Sequence, residues 1–141
     1  MKTTDKKEFP HFILVDDDLC ALHLASKLIQ NFSRLAGITT FSTARAALEF
    51  MSTRDFVSND SETVLLTDLH MPDMDGFALL ERLESTFKAM NGRLHIFVVS
   101  AEACPGEIRR IFSYNYVIGF LEKPLSNTKM EQVIHCVQYP I

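Results

Sequence analysis

Four nearly unbroken apolar runs, each closed by chemically active polar residues, constrain this chain more than anything else in it. Phe12-Ile13-Leu14-Val15 runs into Asp16 and Asp17, and Val64-Leu65-Leu66-Thr67 into Asp68. Ile96-Phe97-Val98-Val99 runs into Ser100, and residues 117–121 lead through Glu122 to Lys123. The runs do not alternate in polarity, which is the pattern of strands buried on both faces. A fifth, shorter strand is expected over Ile38-Thr39-Thr40-Phe41-Ser42. If the strands are parallel, the residues that close them gather at one sheet edge, where open α/β sheets bind ligands. Three carboxylates, a hydroxyl and an amine meeting there suit a divalent cation and a phosphoryl group.

Between the runs lie stretches of helical period. Residues 18–35 place Leu22, Ala25, Ile29 and Phe32 on one face, with Asp17 or Asp18 as N-cap and Gly37 as the stop. Thr43 to Arg54 carries Ala44, Ala47, Leu48 and Met51 on one side, and residues 58–61 form a polar loop. Phe77 to Ala89 reads as a third helix, ended by Asn91-Gly92. Pro105 opens a fourth with Ile108, Ile111 and Phe112, for which Asn115 is the expected left-handed cap. Ser126 caps a fifth, with Met130, Val133, Ile134 and Val137 inward. Five β-α units in succession imply an α/β parallel sheet with helices on both faces and right-handed crossovers.

The remaining features set limits. The 141 residues suit one domain, expected over 11–141 behind a flexible segment at 1–10. A net charge of 14 − 18 = −4 argues against a nucleic-acid footprint. No apolar stretch approaches the roughly 18 residues of a membrane span, and the polar, lysine-rich start has no signal-peptide pattern. Cys20, Cys104 and Cys136 form no CxxC, so a reducing cytoplasm is the expected setting, with the thiols as buried or half-buried fillers. The scattered His11, His23, His95 and His135 suggest no metal site.

Val15-Asp16-Asp17, the stretch Thr67-Asp68-Leu69-His70-Met71-Pro72-Asp73-Met74-Asp75-Gly76, Val99-Ser100-Ala101 and Phe120-Leu121-Glu122-Lys123-Pro124 resemble the response regulator receiver domain of two-component signalling. The resemblance spans about residues 10–138. It implies a flavodoxin-like (βα)5 three-layer sandwich with strand order 2-1-3-4-5. It also implies a phosphorylation-dependent switch rather than a conventional turnover enzyme.

Carried over residue by residue, the resemblance makes Asp68 the phosphoacceptor. Mg²⁺, with Mn²⁺ as an alternative, would be held by Asp17 and Asp68 directly, by Asp16 through water and by the backbone carbonyl of His70. Three clustered carboxylates repel one another without such a cation. Ser100 and Lys123 would contact phosphoryl oxygens, with the Lys123–Pro124 bond cis. Ser100 and Phe120 would form the switch, remodelling a face made by the fourth helix, fifth strand and fifth helix. Phe120 has no hydroxyl, so its toggle rests on packing. Arg109, Arg110, Tyr114 and Tyr116 are candidates for that face. His70 and Glu102 would tune dephosphorylation from the mouth of the site. Asp75 reads better as a helix N-cap than as a ligand, and Asp73 as solvated.

The implied partners are a histidine kinase or histidine phosphotransfer protein, docking near the first helix, and a separate target protein. No nucleic acid or membrane partner is implied, and the state is monomer or phosphorylation-dependent dimer. Two alternatives stand beside this reading. A pseudo-receiver would keep the fold as a binding module without phosphorylation. A haloacid-dehalogenase-type phosphohydrolase would use Asp16-Asp17-Asp18, Ser100 and Lys123, but leaves residues 68–76 unexplained.

Overall fold

The structure, a computed structural model, describes residues 8–139. Residues 1–7 of the expected flexible segment lie outside them, and the Phe9 ring packs 5.9 Å from that of Phe12. The elements run β1 (His11–Val15), α1 (Leu19–Phe32), β2 (Ile38–Phe41), α2 (Ala44–Met51), α3 (Arg54–Ser58), β3 (Thr63–Asp68), α4 (Gly76–Arg82), α5 (Glu84–Met90), β4 (Leu94–Ser100), α6 (Pro105–Ser113), β5 (Val117–Glu122) and α7 (Asn127–Gln138). One parallel sheet joins the five strands in the order β2-β1-β3-β4-β5, as the resemblance to receiver domains implies.

Each strand feeds two cores. In β1, Ile13 and Val15 pack with Ala47, Leu65, Leu79 and Ile111 on the α2–α6 side. Phe12 and Leu14 pack with Leu22, Ile29, Val133 and Val137 on the α1–α7 side. A strand whose side chains alternate between two apolar layers must be apolar at every position, which explains the continuous runs. The β4–β5 register slips by one residue: Ile96 pairs Val117, Phe97 pairs Gly119, and Ile118 is left without a partner.

Local chemistry revises several boundaries. The expected helix 43–54 ends at Met51, and a short further helix, α3, which the sequence did not suggest, follows at Arg54–Ser58. The Thr53 hydroxyl donates to the carbonyl of Phe50 and accepts the amide of Phe56, so one side chain ends α2 and starts α3. The expected helix 77–89 is interrupted at Leu83, whose N–H is shared between the carbonyls of Leu79 and Leu80. α1 ends at Phe32, where Ser33 turns extended, and not near Gly37. Gly37 answers a different need, because a Cβ there would collide with the ring of His11.

Asn115 is not left-handed; among the described residues Asn91 is the one non-glycine residue with positive φ. The chain instead leaves α6 extended at Tyr114. That path buries Tyr116 and lets its hydroxyl donate to the carbonyl of Leu80 at 2.8 Å. The cysteine expectation also fails: Cys20, Cys104 and Cys136 are all exposed. They lie on solvent-facing positions of α1, the α6 cap and α7, where neither core claims them.

Candidate functional site

Parallel pairing aligns Val15 with Thr67, Thr67 with Val98 and Asp68 with Val99, so the strand ends reach one edge together. Asp16 and Asp17 leave β1 there. The chain then needs a helix start, which Asp18 supplies by accepting the amides of Cys20 and Ala21. Asp18 gives its own N–H to Asp16 Oδ1 at 2.9 Å, which turns the Asp16 carboxylate towards β3. Asp68 is the last residue of β3, and the amide of Leu69 donates to its Oδ1 at 2.7 Å.

The Lys123 ammonium reaches across the sheet edge to both acids. Its Nζ lies 2.6 Å from Asp16 Oδ2 and 3.5 Å from Asp68 Oδ2. Its N–H donates to the carbonyl of Ser100 at 3.0 Å, and the Lys123–Pro124 bond is cis. Lys129, on α7, donates to the carbonyls of Glu122 at 2.6 Å and Pro124 at 3.1 Å. Asp16, Asp68 and Lys123 line a cleft of about 370 Å³ whose other lining is mostly apolar and includes Leu14, Leu24 and Leu125.

The charges are under strain. Asp16 and Asp68 are 7% and 8% exposed, so water screens them poorly. Burial, then the Asp16 charge, push the Asp68 carboxyl above its ordinary range, against the pull of Lys123 and the Leu69 amide. Burial alone would depress Lys123; its hydrogen bond to Asp16 and the charges of both acids outweigh that and hold it above the usual lysine value. With every group ionised, three carboxylates and one ammonium leave a local charge of −2, which one divalent cation cancels.

One ligand oxygen from each of Asp16, Asp17 and Asp68 lies within 4.8 Å of the other two. Two oxygens bound to the same Mg²⁺ at about 2.1 Å are at most about 4.2 Å apart, so small side-chain rotations suffice. The donors are hard oxygens, which fits that ion. Asp17 is exposed and so open to exchange with solvent.

The other candidates sit around this centre. Ser100 ends β4, only 1% exposed, and its hydroxyl accepts the Glu102 amide at 3.4 Å. Phe120 is half-buried against the α2–α6 core. His70 is exposed, with Nε2 3.5 Å from Oε1 of Glu107 on α6. Glu102 is exposed at the mouth. Asp75 caps α4 by accepting the Ala78 amide, and Asp73 faces Arg45 at 4.0 Å on the surface.

Of the four residues suggested for the signalling face, two pair with an exposed glutamate of α4 and a third is buried. Arg110 and Tyr114 both contact Glu81 Oε2 of α4, at 3.2 and 2.7 Å, while Tyr116 is buried. Arg110 also stacks over the Phe77 ring at 4.0 Å. The Leu69 amide, Lys129 and Glu107 were not legible from sequence. A backbone donor has no residue signature, and a lysine or glutamate in the first turns of a helix looks like any solvated side chain.

The family model of the response regulator receiver domain matches residues 12–135, and the chain belongs to that family. The match includes residues 68–76, which the phosphohydrolase alternative left unexplained. Among its relatives is the two-component response regulator ORR3 of Oryza sativa subsp. indica, 29% identical over 136 residues, covering 96% of this chain and 95% of the relative. A response regulator receiver protein from Dyadobacter fermentans DSM 18053 superposes with a TM-score of 0.75 at 26% identity, over 89% of this chain and 94% of that one. A two component response regulator from Cytophaga hutchinsonii gives a TM-score of 0.80 at 18% identity, over 93% and 98% of the two chains, and supports the fold alone. Receiver domains are phosphorelay signalling modules rather than conventional enzymes; they bind Mg²⁺ at the acidic site and interact with histidine kinases or phosphotransfer proteins. Among the described residues, no helix is long and apolar enough to cross a membrane.

Proposed function

We propose that this chain, as a single domain over residues 11–141, accepts a phosphoryl group on Asp68 from a histidine kinase or histidine phosphotransfer protein, in the cytoplasm. The observation that carries the reading is the convergence of Asp16, Asp17 and Asp68 with the Lys123 ammonium at one strand edge. Asp17 and Asp68, with Asp16 and the His70 carbonyl, would hold Mg²⁺. The ion supplies positive charge that lets an anionic nucleophile approach an anionic phosphoryl group.

The chain's own groups do the rest. The Leu69 amide fixes Asp68 Oδ1, so the carboxylate is oriented before the donor arrives. Asp68 attacks phosphorus, the P–N bond to the donor histidine breaks, and the released imidazole keeps the electron pair and takes up a proton. Lys123 exchanges its contact with Asp68 Oδ2 for a phosphoryl oxygen. The Ser100 hydroxyl, which now accepts a long 3.4 Å contact from Glu102 N, turns to another phosphoryl oxygen.

Motion of Ser100 leaves room that Phe120 fills, and the α6-β5-α7 face changes shape for a separate target. The switch is a population shift biased by contacts present in only one state. His70 and Glu102, at the mouth, set how fast water reaches the acyl phosphate. The deciding experiment is intact-mass analysis after incubation with Mg²⁺ and acetyl phosphate. A single phosphoryl adduct is expected, absent without Mg²⁺ and absent in Asp68→Asn. A wild-type chain that takes up no phosphoryl group would favour the pseudo-receiver instead.

A further inference from the structure

Lys123 has to be aimed, and its own side chain cannot do this. It is long and freely rotating, and it leaves the sheet at a turn between β5 and α7, beyond the last ladder pair Ser100–Glu122. A backbone bond ties the turn to the sheet, from the Lys123 N–H to the carbonyl of Ser100. The carbonyls of Glu122 and Pro124 lie one residue to either side of Lys123. Both are met by a single cation: Lys129 Nζ is 2.6 Å from the Glu122 oxygen and 3.1 Å from the Pro124 oxygen.

Lys129 is itself fixed. It occupies the first turn of α7, and its amide donates to the Ser126 hydroxyl that caps the helix. An ammonium at a helix N-terminus is disfavoured by the helix dipole. The two carbonyl dipoles offset that cost only while the turn keeps its shape.

We infer that Lys129 is a positioning residue for the phosphoryl-transfer site, clamping the carbonyls of Glu122 and Pro124, the residues before and after Lys123, so that its ammonium stays at Asp16 and Asp68. The inference rests on the function proposed above for what Lys123 does, but the clamp itself is a statement about geometry. Replacing Lys129 by methionine keeps the stem and removes both hydrogen bonds. Lys123 then samples positions away from the acids, and a misplacement near 1 Å at a reacting centre is costly.

The test uses the full chain in four forms: wild type, Lys129→Met, Lys129→Arg and Lys123→Met. A fifth combines Lys123→Met with Lys129→Met. Adduct formation from acetyl phosphate with saturating Mg²⁺ is expected to slow by about tenfold in Lys129→Met. It is expected to recover in Lys129→Arg, whose guanidinium can span both carbonyls. The double variant is expected to be no slower than Lys123→Met, because the clamp acts only through Lys123. Equal slowing by Lys129→Met in both backgrounds would assign Lys129 to general stability and overturn the inference.

A second measurement does not depend on phosphorylation. In protein labelled at lysine side chains, the Lys123 ε-methylene signal is expected to move towards that of free lysine in Lys129→Met and to stay in place in Lys129→Arg. An unmoved signal refutes the clamp whether or not Asp68 is phosphorylated. A moved signal with no wild-type adduct leaves the clamp standing and refutes the proposed function.

Discussion

Gly76→Ala is a one-methyl perturbation aimed at the backbone that carries Asp68. Gly76 is the first residue of α4, and its N–H donates to the carbonyl of Leu69 at 2.8 Å. A Cβ at this position would sit 2.6 Å from the carbonyl oxygen of Asp68 and 2.9 Å from the Cα of Leu69. Both are main-chain atoms, so no rotamer change relieves the overlap. Either α4 or the end of β3 must shift. Overpacking of this kind costs about 1–3 kcal/mol, and rigid neighbours put it at the upper end. The lower unfolded-state entropy of alanine offsets about 0.4–1 kcal/mol. The net loss is about 2 kcal/mol, which for a chain of this size lowers Tm by about 7 °C. Gly106→Ala is the control: its Cβ would meet nothing closer than the Arg109 guanidinium at 3.8 Å, so the entropy gain should leave Tm unchanged or raised. Thermal unfolding by circular dichroism reads both. At a temperature where Gly76→Ala remains folded, its phosphorylation should still be slowed, because the shift moves Asp68. A Gly76→Ala protein with wild-type Tm and wild-type phosphorylation would refute the claim that this contact sets the site's geometry.

Other outcomes follow from the same structure. In metal-free protein, burial and Asp16 raise the Asp68 carboxyl above 3.8, so the folded state holds its proton more tightly than the unfolded state. The resulting stability is full below pH 3.8 and is lost as pH rises through the raised value, so Asp68→Asn should unfold at higher urea than wild type at pH 7. His11 is shifted the opposite way, below 6.5, by burial, so its contribution is present above pH 6.5 and lost on acidification through the lowered value; His11→Gln should flatten that part of the urea-midpoint profile. Mg²⁺ at one hundred times its Kd should add about 2.7 kcal/mol of stability in a thermal-shift titration, and Asp17→Asn should abolish most of it. Tyr116→Phe should cost about 1 kcal/mol by urea unfolding, since the Leu80 carbonyl loses its buried hydroxyl partner.

The strand order came from the resemblance to receiver domains, whereas the meeting of Asp16, Asp17, Asp68 and Lys123 was legible because it follows from where the apolar runs stop. Helix ends were less so. Thr53 ends one helix and begins another with a single hydroxyl, and a periodic apolar pattern passes over such a break without a sign. Asn115 had a suitable side chain for a left-handed cap, yet the pull of Tyr116 towards Leu80 decides the backbone there. Thiol exposure was misjudged because composition says what a residue tolerates, not which face of a helix it occupies. The contacts of Arg110 and Tyr114 with Glu81 were equally hidden, because the two sides lie about thirty residues apart in sequence and meet only through the fold.

The slipped register beside β5 bears on how this chain avoids its own copies. β5 is an edge strand with the apolar core Val117-Ile118-Gly119-Phe120-Leu121, a sequence well suited to recruiting further strands. Skipping Ile118 puts a kink into the outer backbone, so its free amides and carbonyls no longer present an even ladder. An incoming extended segment would lose register after two or three residues. The same irregularity that seats Gly119 over Phe97 thus guards the protein against sheet-to-sheet polymerisation while leaving side chains on that edge free for transient, side-chain-mediated contacts.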